Sequence, residues 1–160
     1  MTTRLDVEEI ISHQINDWNE KLQLDVKEFK KKALQQCAKA MNEENVEQTL
    51  IKLALEQIDE ANPNWTYFAA RIYLQKLYRE AAENRGYDRY MRYGSFYELI
   101  CQLVEIGIYD SKLLDVYSKQ EIDYFEQQIE PERDELFTYP ALYTLATRYL
   151  ATDHEKRTYE

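Results

Sequence analysis

The chain has 160 residues, 44% of them hydrophobic and 13% aromatic, and a formal net charge of −10 from 30 acidic and 20 basic side chains. That is enough apolar material for one domain with a real core. The acidic balance argues against a nucleic-acid surface, where Lys and Arg contacts to phosphate dominate, and against adsorption to anionic membranes.

The first amphipathic stretch runs from about Asp6, as cap, to Leu22, with Val7, Ile11, Ile15, Trp18 and Leu22 on one stripe. The sequence LQLD interrupts it. From Asp25 a second helix is predicted, with Val26, Phe29, Ala33, Cys37 and Ala40 inward. Its Lys30-Lys31-Lys32 turn reads as a solvated face rather than a phosphate site. A third helix, about Glu44 to Ala61, uses Val46, Leu50, Leu53, Ala54 and Ile58. The fourth begins at Asn62-Pro63 or Asn64 and stops near Asn84–Gly86. It carries two adjacent apolar stripes, one through Ala70, Tyr73, Leu74, Leu77, Tyr78 and Ala81, the other through Trp65, Phe68, Ala69 and Ile72. Such a helix is touched on more than one side, yet it holds Arg71 directly behind Ala69-Ala70, a charge that an ordinary core helix does not need.

YDRYMRYG then reads as a loop rich in Tyr and Arg. A fifth helix, Phe96 to Ile106, is capped by Ser95, stopped by Gly107, and turns Phe96, Leu99, Ile100, Leu103 and Val104 inward. YDSKLLDVY gives a short helical turn. SKQE, Ser118 to Glu121, is a capping box opening a sixth helix with Ile122, Phe125 and Ile129 inward. IEPERDELFTYP is an elbow, and Pro140 starts the last helix, with Leu142, Leu145, Ala146, Tyr149 and Leu150 on one face. No alternating strand pattern of useful length appears. The expectation is an all-α, multi-helix orthogonal bundle without significant sheet.

Chemistry is scarce. His13 and His154 stand alone, Cys37 and Cys101 form no metal-type pair, and no Gly-rich phosphate loop or Glu-x-x-His pair exists. Both thiols fall in helical patterns, where Cys usually acts as a small buried hydrophobe. No apolar run nears the roughly 20 residues of a spanning helix, and MTTRLDVEEI lacks the apolar segment of a secretory leader. A cytoplasmic, reduced protein is expected.

Taken in order, the segments TLIKLALEQI…NPNWTYFAARIYLQKLY, YELICQLVEIGIYDSKLLDVYSKQEI and IEPERDELFTYPALYTLATRYL resemble the amino-terminal region of the class I ribonucleotide reductase large (alpha) subunit. The residues carrying the resemblance are Ala69-Ala70-Arg71, the run from Gly107 to Glu121, Glu132-Arg133-Asp134 with Phe137 and Tyr139, and Arg148-Tyr149-Leu150. It covers roughly Leu5 to the end.

The resemblance implies partial ATP-cone-like helices over residues 1–61 and the family's helical domain over 62–160, packed as one unit. It also implies that the catalytic cysteines and specificity site of the family lie outside this chain, so that no catalytic residue can be assigned and the chain alone is inactive. Arg79 matches a basic residue that contacts nucleotide phosphate in the family. The family's Lys-Arg-Asp-Gly-type hairpin is missing, and Asn42-Glu43 falls where the family has a threonine, so a silent cone is expected rather than a dATP switch. ATP and dATP would be effectors of the parent enzyme, and no cofactor belongs to this chain. The implied partners are the remainder of the large subunit with its catalytic barrel, the radical-generating small subunit, and a second copy in a homo-oligomer. On the same resemblance Arg71 would tie the cone remnant to the helical domain through Asp134; a surface Arg laid along apolar neighbours is the other reading. The alternative for the whole chain is a free-standing helical interaction module without enzyme activity.

Overall fold

The computed structural model describes residues 4–16, 19–37 and 41–160. Their fold is all-α. Helices α1 (Arg4–Asn16), α2 (Asn19–Leu22), α3 (Val26–Gln36), α4 (Glu43–Glu56) and α5 (Trp65–Arg85) are followed by α6 (Phe96–Glu105), α7 (Lys112–Val116) and α8 (Lys119–Glu126). A 3₁₀ helix, Pro131–Leu136, and α9 (Tyr139–Arg148) complete the order. Among the described residues β pairing is confined to an isolated bridge between Thr152 and Thr158.

The chain forms two compact units, Met1–Leu74 with Glu135–Tyr143, and Gln75–Asp134 with Thr144–Glu160. In the first, α1, α3 and α4 pack on one another. Their apolar stripes meet around Val7, Ile11, Phe29, Ala33, Leu50 and Phe68, each nearly or fully removed from water. Phe29, Trp65 and Phe68 form an aromatic trio with centroids 4.7 to 5.3 Å apart, two of the three contacts edge-on, the arrangement ring quadrupoles favour. Local chemistry sets the helix ends. Gln23 takes a positive φ of 54° after α2, the Asp25 side chain accepts from the Lys27 amide at 3.2 Å, and Asn42 accepts from the Asn45 amide at 2.8 Å.

Several sequence expectations shift. The first helix begins at Arg4, so Asp6 lies inside it rather than capping it, and a separate short helix carries Leu22; Trp18 and Ala40 lie outside the described residues. Helix α4 ends at Glu56, which leaves Ile58 beyond the helix and 41% exposed. Glu47, a charged residue within the α4 stripe, is fully buried instead.

In the second unit α6 packs on α8. Leu99 and Leu103 close around Tyr159, with Phe96, Ile108 and Ala151 against them. The last residues reach this core through a return of the chain: the Tyr159 amide donates to Ala151 O at 3.0 Å, and Asn84 Nδ2 donates to Thr158 O at 2.8 Å. The Ser118–Glu121 capping box forms as the sequence predicts. Of the expected α8 stripe only Ile122 is buried; Phe125 and Ile129 are exposed, as is Tyr149 just past the end of α9.

Candidate functional site

Arg71 and the elbow are the residues to which the sequence assigns a role. Arg71 lies in the α5 stretch Phe68–Ile72, whose every residue is buried, and its own side chain is 8% exposed. Removing a guanidinium from water is expensive unless carboxylates or carbonyls face it. In the first unit the carboxylate is that of Glu135, the residue after Asp134, with Arg71 Nη2 3.7 Å from Glu135 Oε2. The same nitrogen donates to the Glu135 backbone carbonyl at 3.4 Å. Lys21 Nζ lies 3.5 Å from Glu135 Oε2 but is largely in solvent. Burial pulls Arg71 below the ordinary guanidinium range and Glu135 pulls it back, so the cation is held by a partner rather than hydrated.

Asp134 belongs to the second unit and has different partners. Its Oδ2 accepts the Tyr78 hydroxyl at 2.6 Å and also the Tyr93 hydroxyl. The two rings meet edge to face, 5.5 Å apart. Burial, then the hydrogen bond to Asp134, raises both phenols; Tyr93 is pushed up to about 12 and Tyr78 rises further. Both therefore keep their protons near neutrality and act as donors, not bases. A 3₁₀ helix with three residues per turn points consecutive side chains about 120° apart, which is how neighbouring carboxylates come to serve different partners.

Sequence reasoning gave Arg85 no role, yet it organises the Tyr/Arg loop. From the end of α5 it donates through Nη1 to Tyr93 O at 2.5 Å, through Nη2 to Ser95 O at 2.7 Å, and through Nε to Gln102 Oε1 at 3.4 Å. Its guanidinium carbon stands 4.7 Å from the Tyr87 ring centroid. Gly94, at φ +60°, lies against that ring; an added Cβ would be 2.9 Å from it. The signal in the sequence is an Arg beside the Gly86 stop, at the start of the loop whose carbonyls its fork reaches. Arg79 lies half-buried on α5 in the same unit.

These groups hold structure together. No cluster of three or more His, Cys, Asp or Glu suited to a metal ion occurs among the described residues, and burial raises the Cys37 thiol, away from the reactive thiolate. Among the described residues no helix is long and apolar enough to cross a membrane. Fold and site together define a helical scaffold element whose buried charges and phenols fix loops and helix ends.

No family model matches the chain. Individual relatives do. The ribonucleoside-diphosphate reductase subunit alpha of Helicobacter pylori is 32% identical over 111 residues, 69% of this chain and 13% of that protein. The subunit alpha of Enterobacteria phage T4 is 34% identical over 113 residues, 71% of this chain and 14% of that protein. In Escherichia coli, ribonucleoside-diphosphate reductase 1 subunit alpha is 26% identical over 156 residues, 93% of this chain and 19% of that protein. The chain is thus related to one portion of the ribonucleoside-diphosphate reductase alpha subunit, and spans less than a fifth of the length of these relatives. This is consistent with the amino-terminal region to which its motifs point.

Proposed function

We propose that the chain is the amino-terminal scaffold of a class I ribonucleoside-diphosphate reductase alpha subunit. It supports reduction of ribonucleotides to deoxyribonucleotides for DNA synthesis without supplying a catalytic residue. The observation that carries this reading is the similarity to alpha subunits across 93% of the chain in one case and at 32 to 34% identity in others. Its chemistry agrees: the titratable groups described above are hydrogen-bonded or paired in structural roles. In this reading residues 1–61 are a partial ATP-cone-like segment and 62–160 the helical domain. The partners are the catalytic remainder of the subunit, the radical-generating small subunit and a second copy, in the cytoplasm.

Arg79 is the residue through which a surviving effector site would meet phosphate; Glu43, which opens α4, stands with Asn42 where the family has a threonine, and its carboxylate would repel phosphate. The scaffold reading therefore expects no effector response. Thermal unfolding of the purified chain, followed with ATP and with dATP, measures this. A ligand at 100 times its Kd adds about 2.7 kcal/mol, several degrees in a domain of this size. An unchanged melting temperature is the expected outcome; a rise with either nucleotide that Arg79→Ala abolishes would make the chain a sensor instead. Whether the neighbouring coding sequence encodes the rest of an alpha subunit tests the parent assignment.

A further inference from the structure

The second unit carries exposed apolar side chains that its own core does not use. Helix α8 buries Ile122, at 2% exposed, and leaves Tyr124 61% and Phe125 48% exposed; past the end of the helix Ile129 is 42% exposed. Val116 and Tyr117, at the end of α7, are 67% and 41% exposed. Three of these rings, Tyr117, Phe125 and Tyr124, adjoin. The Tyr117 ring packs edge-on against Phe125 at 6.0 Å, and Tyr124 adjoins Phe125 at 6.2 Å. Exposed Tyr and Phe gathered into a patch, on a segment otherwise rich in charge, is the composition of an interface centre, where aromatic anchors carry most of the binding energy.

The charge of the segment says what kind of surface fits. Between residues 112 and 130 the carboxylates are Asp115, Glu121, Asp123, Glu126 and Glu130, against Lys112 and Lys119. Lys119 is already held by Asp123 at 2.6 Å. A second copy of the chain would bring the same acidic segment and a formal charge of −10 against it, so like charges oppose self-pairing through this face. The matched relatives carry more than four fifths of their length outside the similarity, and that larger part is the natural occupant.

We propose that the α7–α8 face docks the remaining part of a reductase alpha subunit, which presents an apolar patch rimmed by Lys and Arg. This rests on the scaffold reading above and adds the surface by which it acts. Hydroxyl-radical footprinting tests it on the 160-residue chain, alone and with the reductase alpha polypeptide of its own genome, supplied in trans or continuous in frame. Tyr117, Tyr124 and Phe125 should lose at least fivefold in labelling while Tyr90, 88% exposed on the loop, stays unchanged. In trans, Tyr124→Glu should weaken association at least tenfold without moving the melting temperature, and added salt should weaken the wild-type complex. Association with undiminished labelling of the three rings would overturn the docking face while leaving the scaffold reading intact. Absence of any alpha polypeptide, or of any association with it, would sink both. A homodimer that sediments as such and is dissolved by Tyr124→Glu would hand the face to a second copy and overturn the proposal.

Discussion

Arg85 and Tyr93 show how single side chains set the second unit. The Arg85 fork holds two backbone carbonyls of one loop at once, geometry that a lysine ammonium on a flexible stem cannot reproduce. Arg85→Lys should cost about 2 kcal/mol, the scale of a charge-assisted hydrogen bond lost from a buried site. The loop it secures should also be cut faster by trypsin at Arg89 and Arg92, which limited proteolysis reads directly. The Tyr78–Asp134–Tyr93 cluster predicts an alkaline limit. Both phenols bind their protons more tightly folded than unfolded, where the ordinary value is 10.0. Between the unfolded and folded values the unfolded chain holds fewer protons, so stability falls as pH rises. Chemical denaturation should show full stability below about pH 10 and a progressive loss toward pH 12. Tyr93→Phe should be less stable at neutral pH and show a shallower alkaline decline.

At the scale of elements, ends are set by caps and faces by tertiary neighbours. Ser118 both accepts from the Glu121 amide and, through its own amide, donates to the Glu121 carboxylate at 2.9 Å. Ser118→Ala should lower stability by about 1 kcal/mol, measured as a shift in urea midpoint at unchanged slope. Caps such as Ser118, Ser95 and Asn42, and the Gly86 and Gly107 stops at φ +75° and +76°, are local, which is why the sequence announces most of them. Burial is not local. The α8 periodicity groups Phe125 with Ile122, yet only the neighbouring elements decide how wide the buried stripe is, and in α8 Ile122 alone is buried. Glu47 inverts the lesson: a carboxylate in an apolar stripe looks like a surface position until its surroundings are known. At the elbow the sequence marks ERD as meaningful, but the assignment of Glu135 to Arg71 and Asp134 to two tyrosines depends on which way a 3₁₀ turn points.

At the scale of the whole chain, acidity and similarity argue in the same direction. A formal charge of −10 disfavours phosphate-rich surfaces and favours a basic partner surface. The relatives supply the context in which a helical element without its own reaction centre has a use. One local feature also limits how the chain can be engineered or can drift. Asp134 and Glu135 are adjacent and have separate partners, so the number of residues at the elbow matters as much as their kind. An extra alanine between Arg133 and Asp134 would turn the Asp134 carboxylate by about 120° and strand the two phenols it holds. The same alanine beside Tyr90, at a loop tip facing water, should pass almost unnoticed. Comparing the melting temperatures of these two insertion variants would show whether the elbow is a reading frame in three dimensions, open to exchange of residues but closed to changes in their number.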